Sequence, residues 1–217
     1  MLGGGFLFAG LLLLTLTVTY WYIVSGMSLI LAISGPAAVG KTTICERLIL
    51  EFGNSLSRLV TATTRAPRDG EKHGVDYFFF QKSEFEKKLS RNQFLEHENI
   101  HGNNYGILKE SILLAQEKGL DILLNIDVNG SASLRKFCQE TLVLQGCLKT
   151  IFIRPKNLDD LKRRMIQRAT ESVEQAQVRL VNAQSEMERQ DEFDYVIESA
   201  DKETDYQKIR EIYLSLK

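Results

Sequence analysis

Ser28-Leu-Ile-Leu-Ala-Ile-Ser34 runs directly into Gly35-Pro-Ala-Ala-Val-Gly40-Lys41-Thr42-Thr43. Leu29 to Ile33 are apolar without alternation, the pattern of a strand buried on both faces of a parallel sheet. After the glycines, Ile44, Leu48, Ile49 and Phe52 recur at helical spacing. A strand, a glycine loop and a helix in that order set a helix N-terminus against an anion. The loop fits G-x-x-x-x-G-K-[ST]. Its residues Gly35, Pro36, Ala37, Ala38, Val39 and Gly40 would wrap phosphate oxygens, Lys41 would reach the β- and γ-phosphates, and the Thr42 hydroxyl would sit on Mg²⁺. The stretch implies a bound nucleoside triphosphate.

Working outward, further buried strands are expected at Leu120 to Ile126, Thr150 to Ile153 and Phe193 to Ile197. Helices are expected between them, near Lys109–Lys118, Gly130–Cys138 and Asp159–Arg168, with a last one over Glu203–Leu216. Alternating β and α elements predict an α/β fold, a P-loop NTPase-type parallel sheet flanked by helices. Two stretches interrupt the alternation. Residues 61–108 carry turn signals, a β-like Tyr77-Phe-Phe-Phe80 run suited to a sheet core, and a short helix opening at Ser83, and read as an inserted mixed β lobe. Residues 157–190 are charged and helical, and read as a lid. The core is then 27–60, 109–156 and 191–217.

The chain has 217 residues, 27 Lys+Arg against 28 Asp+Glu and 44% hydrophobic residues, which excludes disorder and a disulfide scaffold. The balanced charge gives no support to a nucleic-acid partner. Cys45, Cys138 and Cys147 fit no C-x-x-C pattern and read as reduced thiols. Charge is absent before Lys41, and residues 2–24 are mostly apolar. Three readings of this leader stand: a membrane anchor, a cleaved export signal, or upstream sequence preceding an initiator at Met27. The run is long enough to span a bilayer, but it lacks a basic n-region and flanking Lys or Arg. Under the Met27 reading the protein is cytoplasmic; membrane contact follows only if the 1–26 leader is real.

Arg65 and Arg68 flank Pro67. Two guanidiniums so placed suit an acceptor that is itself a phosphate, although solvated turn residues would look the same. The longer stretch Thr63-Thr-Arg-Ala-Pro-Arg-Asp-Gly-Glu-Lys-His-Gly-Val-Asp-Tyr77-Phe resembles the signature of guanylate kinases. Phe94-Leu-Glu96, Gly102-Asn-Asn-Tyr105-Gly106, Ile126-Asp127 and Asn129-Gly130 follow in that family's order. The likeness runs from about Ser28 to the C-terminus and leaves the leader outside.

The resemblance implies transfer of the γ-phosphoryl group from ATP to GMP, giving ADP and GDP in purine nucleotide recycling, with Mg²⁺ accompanying ATP. It places Arg65, Arg68, Tyr77 and Tyr105 on the GMP phosphate, Glu96 and Asp127 near the guanine, and Thr61 near its O6. A carboxylate suits guanine, whose N1–H and 2-amino group are adjacent donors, and repels adenine, which has an acceptor at N1. Arg164, Arg168 and Arg179 match lid arginines that neutralise the transferring phosphates. An ionised phosphate acceptor requires no general base.

Ile107, Asn125, Ala169 and Ser199 depart from the family's usual Ser/Thr, Asp, Gly and Asn. His97-Glu-Asn-Ile-His101 is a literal H-E-x-x-H, but zinc binding needs a helix that puts both histidines on one face, and Gly102 follows at once. Two other readings compete: a P-loop kinase of another phosphorylated acceptor such as a ribose bisphosphate, and a guanylate-kinase-like protein-interaction module. The paired acids Glu96 and Asp127 argue against the first, and the intact Gly40-Lys41-Thr42 against the second.

Overall fold

The computed structural model describes residues 28–100, 102–167 and 173–217. The leader, His101, Arg168 and Ala169 lie outside the described residues. In chain order the strands are β1 (Ile30–Ser34), β2 (Leu56–Arg58), β3 (Ala62–Thr63), β4 (Phe78–Phe79), β5 (Phe94–Ile100), β6 (Asn103–Leu108), β7 (Asp121–Asn125), β8 (Leu148–Arg154) and β9 (Tyr195–Glu198). The helices are α1 (Lys41–Phe52), α2 (Lys82–Ser90), α3 (Lys109–Glu117), α4 (Val128–Glu140), α5 (Leu158–Gln167), α6 (Val173–Glu188) and α7 (Lys202–Ser215).

The apolar run that opens the domain becomes the central strand of a five-stranded sheet ordered β2-β7-β1-β8-β9, parallel throughout. Side chains of a strand alternate between faces, so a strand covered on both sides must be apolar at every position. Leu31 and Ile33 pack with Ile44 and Leu48 of α1 and with Ile209 and Tyr213 of α7. Ile30 and Ala32 face the other way, with Ile112 of α3 and Leu134 and Cys138 of α4. Truncating Ile33, which is fully buried, to Ala would cost about 2–5 kcal/mol.

One buried carboxylate fastens Leu29, just before β1, and the C-terminal helix to this sheet. Asp121, 1% exposed, accepts the Leu29 N–H at 2.9 Å and the Tyr213 hydroxyl at 2.7 Å, and pairs with Lys217 Nζ at 2.5 Å. Burial, with that carboxylate alongside, pushes the Tyr213 phenol up to about 12. Three donors compensate the desolvation that makes an isolated buried carboxylate costly.

The stretch expected as an insertion forms a second, mixed sheet ordered β4-β3-β6-β5. It has a small core of its own, in which Phe85 stacks on Phe94 at 4.3 Å and Phe78 and Phe80 pack against Ala62 and Leu108. The aromatic run therefore splits by parity. Phe79 turns the other way, 5.7 Å from the Tyr77 ring. Two local expectations change. Helix α2 begins at Lys82 without a side-chain cap, so Ser83 sits inside its first turn. Helix α4 begins at Val128 rather than Gly130, because Asp127 caps it. His97 and Glu98 lie on β5, a strand rather than the helix that zinc ligation needs, and no metal-holding group of His, Cys, Asp or Glu occurs among the described residues. No helix among the described residues is long and apolar enough to cross a membrane.

Candidate active site

The phosphate loop joins the carboxyl end of β1 to α1. Gly35 has φ +139, and a Cβ there would overlap the Ile153 carbonyl oxygen of β8, so the loop can lie this close to the sheet only with glycine. Gly40, at φ +118, precedes α1 without any side-chain cap, and the first turn carries no acid. An anion at this terminus would meet the helix dipole with no capping side chain or first-turn acid opposing it. Lys41 Nζ donates to the carbonyls of Gly35 and, at 3.0 Å, of Pro36, which folds the ammonium back over the loop.

A cavity of about 670 Å³ opens next to this loop, between the mixed sheet and the carboxyl end of β7. Thr61, Glu96, Tyr105 and Asp127 all line it, as do Ile107 and Asn125. The two sites meet at β7, because Asn125 Nδ2 donates to Thr42 Oγ1 at 3.3 Å. Asp127 accepts the Gly130 N–H at 2.7 Å and closes the N-terminus of α4. Burial pushes the Glu96 carboxyl up to about 7, with the Asp127 and Glu98 carboxylates adding to the effect. Acids from the mixed sheet and from the end of β7 thus line one pocket.

Arg65, Tyr77 and Tyr105 cluster as a wall beside the cavity, which Tyr105 alone of the three lines. The Arg65 guanidinium lies over the Tyr77 ring at 5.5 Å, and the Tyr77 and Tyr105 rings are 6.1 Å apart. Glu71 holds Arg65 with two bonds, 3.0 and 2.8 Å, and also accepts the Arg68 N–H at 2.7 Å. That pairing keeps the Glu71 carboxyl below the usual carboxylate range. Arg68 joins the wall through its backbone, while its side chain is exposed. Arg164 lies on α5 and Arg179 on α6. At the foot of α6, burial raises the Glu186 carboxyl, with Lys41 opposing and Asp127 adding, so this end of the helix stands beside the phosphate loop.

The comparisons with known proteins agree with one another. A family model described as guanylate kinase matches residues 27–215. The guanylate kinase of Protochlamydia amoebophila is 39% identical over 183 residues, 84% of this chain and 88% of that protein. That of Clostridioides difficile is 37% identical over 189 residues, 87% of this chain and 88% of that protein. Among solved structures, guanylate kinase from Anaplasma phagocytophilum superposes with a TM-score of 0.60 at 29% identity, covering 87% of this chain and 86% of that one. The chain belongs to the guanylate kinase family.

The departures from the guanylate kinase pattern have distinct structural settings. Ile107 is 4% exposed and packs into the core beneath the pocket, so it offers apolar contact where a hydroxyl is usual. Asn125 keeps a bond to Thr42 with a neutral amide. Ser199 is buried and donates to Asp205 at 2.7 Å, which ties the end of β9 to the start of α7. All three cysteines are buried free thiols, and burial pushes those of Cys45 and Cys138 up to about 12. Two residues of the matched stretches, Glu71 and Gly130, hold the candidate site residues in place without a role being legible for them in the sequence. Glu71 lies within the matched signature, where its spacing from Arg65 was the available signal, and Gly130 follows Asp127 at the N3 position, which marks a capped turn.

Proposed function

We propose that the chain transfers the γ-phosphoryl group of ATP to GMP. The observation that carries this reading is the acid-lined cavity beside an uncapped helix N-terminus, with Asn125 and Asp127 at the end of one strand serving the two sites. ATP phosphates would occupy residues 35–42, with Lys41 released from the loop carbonyls onto the β- and γ-oxygens. The guanine would enter the cavity, its N1–H and 2-amino donors meeting Glu96, with Asp127 nearby and Thr61 toward O6. Arg65, Arg68, Tyr77 and Tyr105 would clamp the GMP phosphate, the aryl hydroxyls and guanidiniums supplying donors to a dianion.

With both nucleotides held, an oxygen of the GMP phosphate attacks the γ-phosphorus, the bond to the β–γ bridging oxygen breaks, and ADP leaves. The attacking oxygen is already ionised, so the protein contributes position and positive charge. Arg164, Arg168 and Arg179 would bring charge from the lid formed by residues 157–190. The core of 27–60, 109–156 and 191–217 carries the donor site, and residues 61–108 the acceptor lobe. A hard oxygen donor at Thr42, with the Asn125 amide beside it, fits Mg²⁺, which takes most of its ligands from water and phosphate. When bound, Mg²⁺ neutralises charge on the β- and γ-phosphates.

The test is product identification. The purified protein with ATP, Mg²⁺ and GMP should yield equimolar ADP and GDP, and absence of GDP would overturn the reading. We further propose that the kinase acts in the cytoplasm. Recovery of the native protein with membranes would contradict that assignment.

A further inference from the structure

Glu96 occupies its place through two features that have no counterpart in a regular ladder. Phe94 pairs with Leu108, yet Glu96 pairs with Ile107, so Leu95 is an extra residue and β5 carries a bulge. Phe94 is buried in the core of the mixed sheet, whereas Leu95 and Glu96, neighbours in sequence, both line the cavity. The bulge turns the carboxylate inward. The second feature lies on α4, where a methyl group at Gly130 would overlap Glu96 Oε2 and Ile126 Cγ1 and stand 2.7 Å from Glu96 Cδ.

We propose that Gly130 is a specificity-determining position, its missing side chain forming the notch that seats the Glu96 carboxylate against α4 and aims it at the guanine edge. The proposal rests on the GMP kinase reading above. Gly130 does not have a left-handed φ, so backbone freedom is not what the position requires. Inside a helix, glycine is a poorer choice than alanine; local propensity alone would favour alanine here. What glycine supplies is room. The closest obstruction is the tip of the flexible Glu96 side chain, with Cγ1 of the buried Ile126 next, so an added methyl displaces the carboxylate first and presses on the core beside it. Gly130 also donates its N–H to Asp127, and one residue thereby seats both acids. Gly106 repeats the device beneath the Glu96 main chain, where a Cβ would stand 2.9 Å from the Glu96 carbonyl oxygen.

The test uses wild type, Gly130→Ala and the double variant Gly130→Ala/Glu96→Asp, each as full-length protein. Affinities for GMP and for inosine monophosphate, which lacks the 2-amino donor, are measured by calorimetry without ATP, and the KM for ATP by turnover. Gly130→Ala should weaken GMP at least tenfold, bring the GMP-to-IMP preference to within about twofold of unity, and leave the ATP KM within about twofold. Shortening the carboxylate should restore preference in the alanine background, although the same change lowers it in wild type; this non-additivity marks two groups in contact. If Gly130→Ala fails to fold, the double variant should recover folding, and a double variant that stays unfolded overturns the notch. An unchanged GMP-to-IMP ratio in Gly130→Ala, beside a wild type that makes GDP, overturns the inference alone. A wild type that makes no GDP overturns the kinase reading, and the inference with it.

Discussion

Helices α1 and α4 leave adjacent parallel strands at the same edge of the sheet, β1 and β7 being in register at Ile33 and Asn125. Each N-terminus carries roughly half a positive charge from the helix dipole. Their surroundings are opposite in kind. Gly40 leaves α1 uncapped and without acid in its first turn, with Lys41 added. Asp127 caps α4 with a carboxylate, and Glu96 lies against the same turn at Gly130. One strand-to-helix transition thus gives two settings, an electropositive helix start suited to phosphates and an acid-lined one suited to a base with two donors. The dipole is common to both; the residue at the cap decides how it is used.

The contrast breaks most severely at Lys41. Lys41→Ala should lower kcat by about 10³-fold or more, since in the proposed mechanism it removes the positive charge facing the transferring group, and steady-state turnover with saturating GMP measures it. On the acidic side, Glu96→Gln should raise the KM for GMP by about 30-fold or more, as a hydrogen-bonding mismatch at a buried polar site does. The same substitution should stabilise the fold at pH 8. Because the Glu96 carboxyl is raised, the folded protein holds more protons than the unfolded chain between about 4.5 and about 7. Stability therefore falls as pH rises through that window, and removing the ionisable group returns about 1–2 kcal/mol above it, measurable by denaturant titration.

The protonation of Glu96 gives a sharper reading of the same comparison. Only the ionised carboxylate accepts both guanine donors, so GMP affinity should increase about tenfold from pH 6 to pH 8 around a midpoint near 7. Subtracting the Glu96→Gln profile removes the ligand's own phosphate titration. The smallest expected effect is at the cap. Asp127→Asn keeps a good N-cap residue and should change stability by only a few tenths of a kcal/mol. It removes a charge that raises Glu96, so the midpoint of the GMP profile should move down.

The donor side of this comparison is legible in the sequence because it is local. An apolar run, two glycines and Lys41-Thr42 specify strand, loop and helix within fifteen residues. The acceptor residues 63–77 are legible through a long signature, although their pairing is less so: the Arg65–Glu71 bridge depends on a loop closing on itself. What escapes reading is assembled from afar. The three-residue β2 is held at the sheet edge by β7, more than sixty residues later, and has no alternation to announce it. The β5 bulge exists only relative to β6. Gly130 has its purpose only where α4 meets Glu96, thirty-four residues earlier. H-E-x-x-H is the converse case, a local pattern whose meaning is cancelled by strand pairing with Tyr105 and Gly106.

The most direct measurement is the ratio of kcat/KM for GMP and AMP as acceptors, taken side by side in wild type and Glu96→Gln with ATP and Mg²⁺ in excess. A bare α1 for the donor and an acid-lined α4 for the base predict a wild-type ratio above about 10³ that falls by at least tenfold in the variant. Comparable rates with GMP and AMP in wild type, or a ratio untouched by Glu96→Gln, would contradict the account.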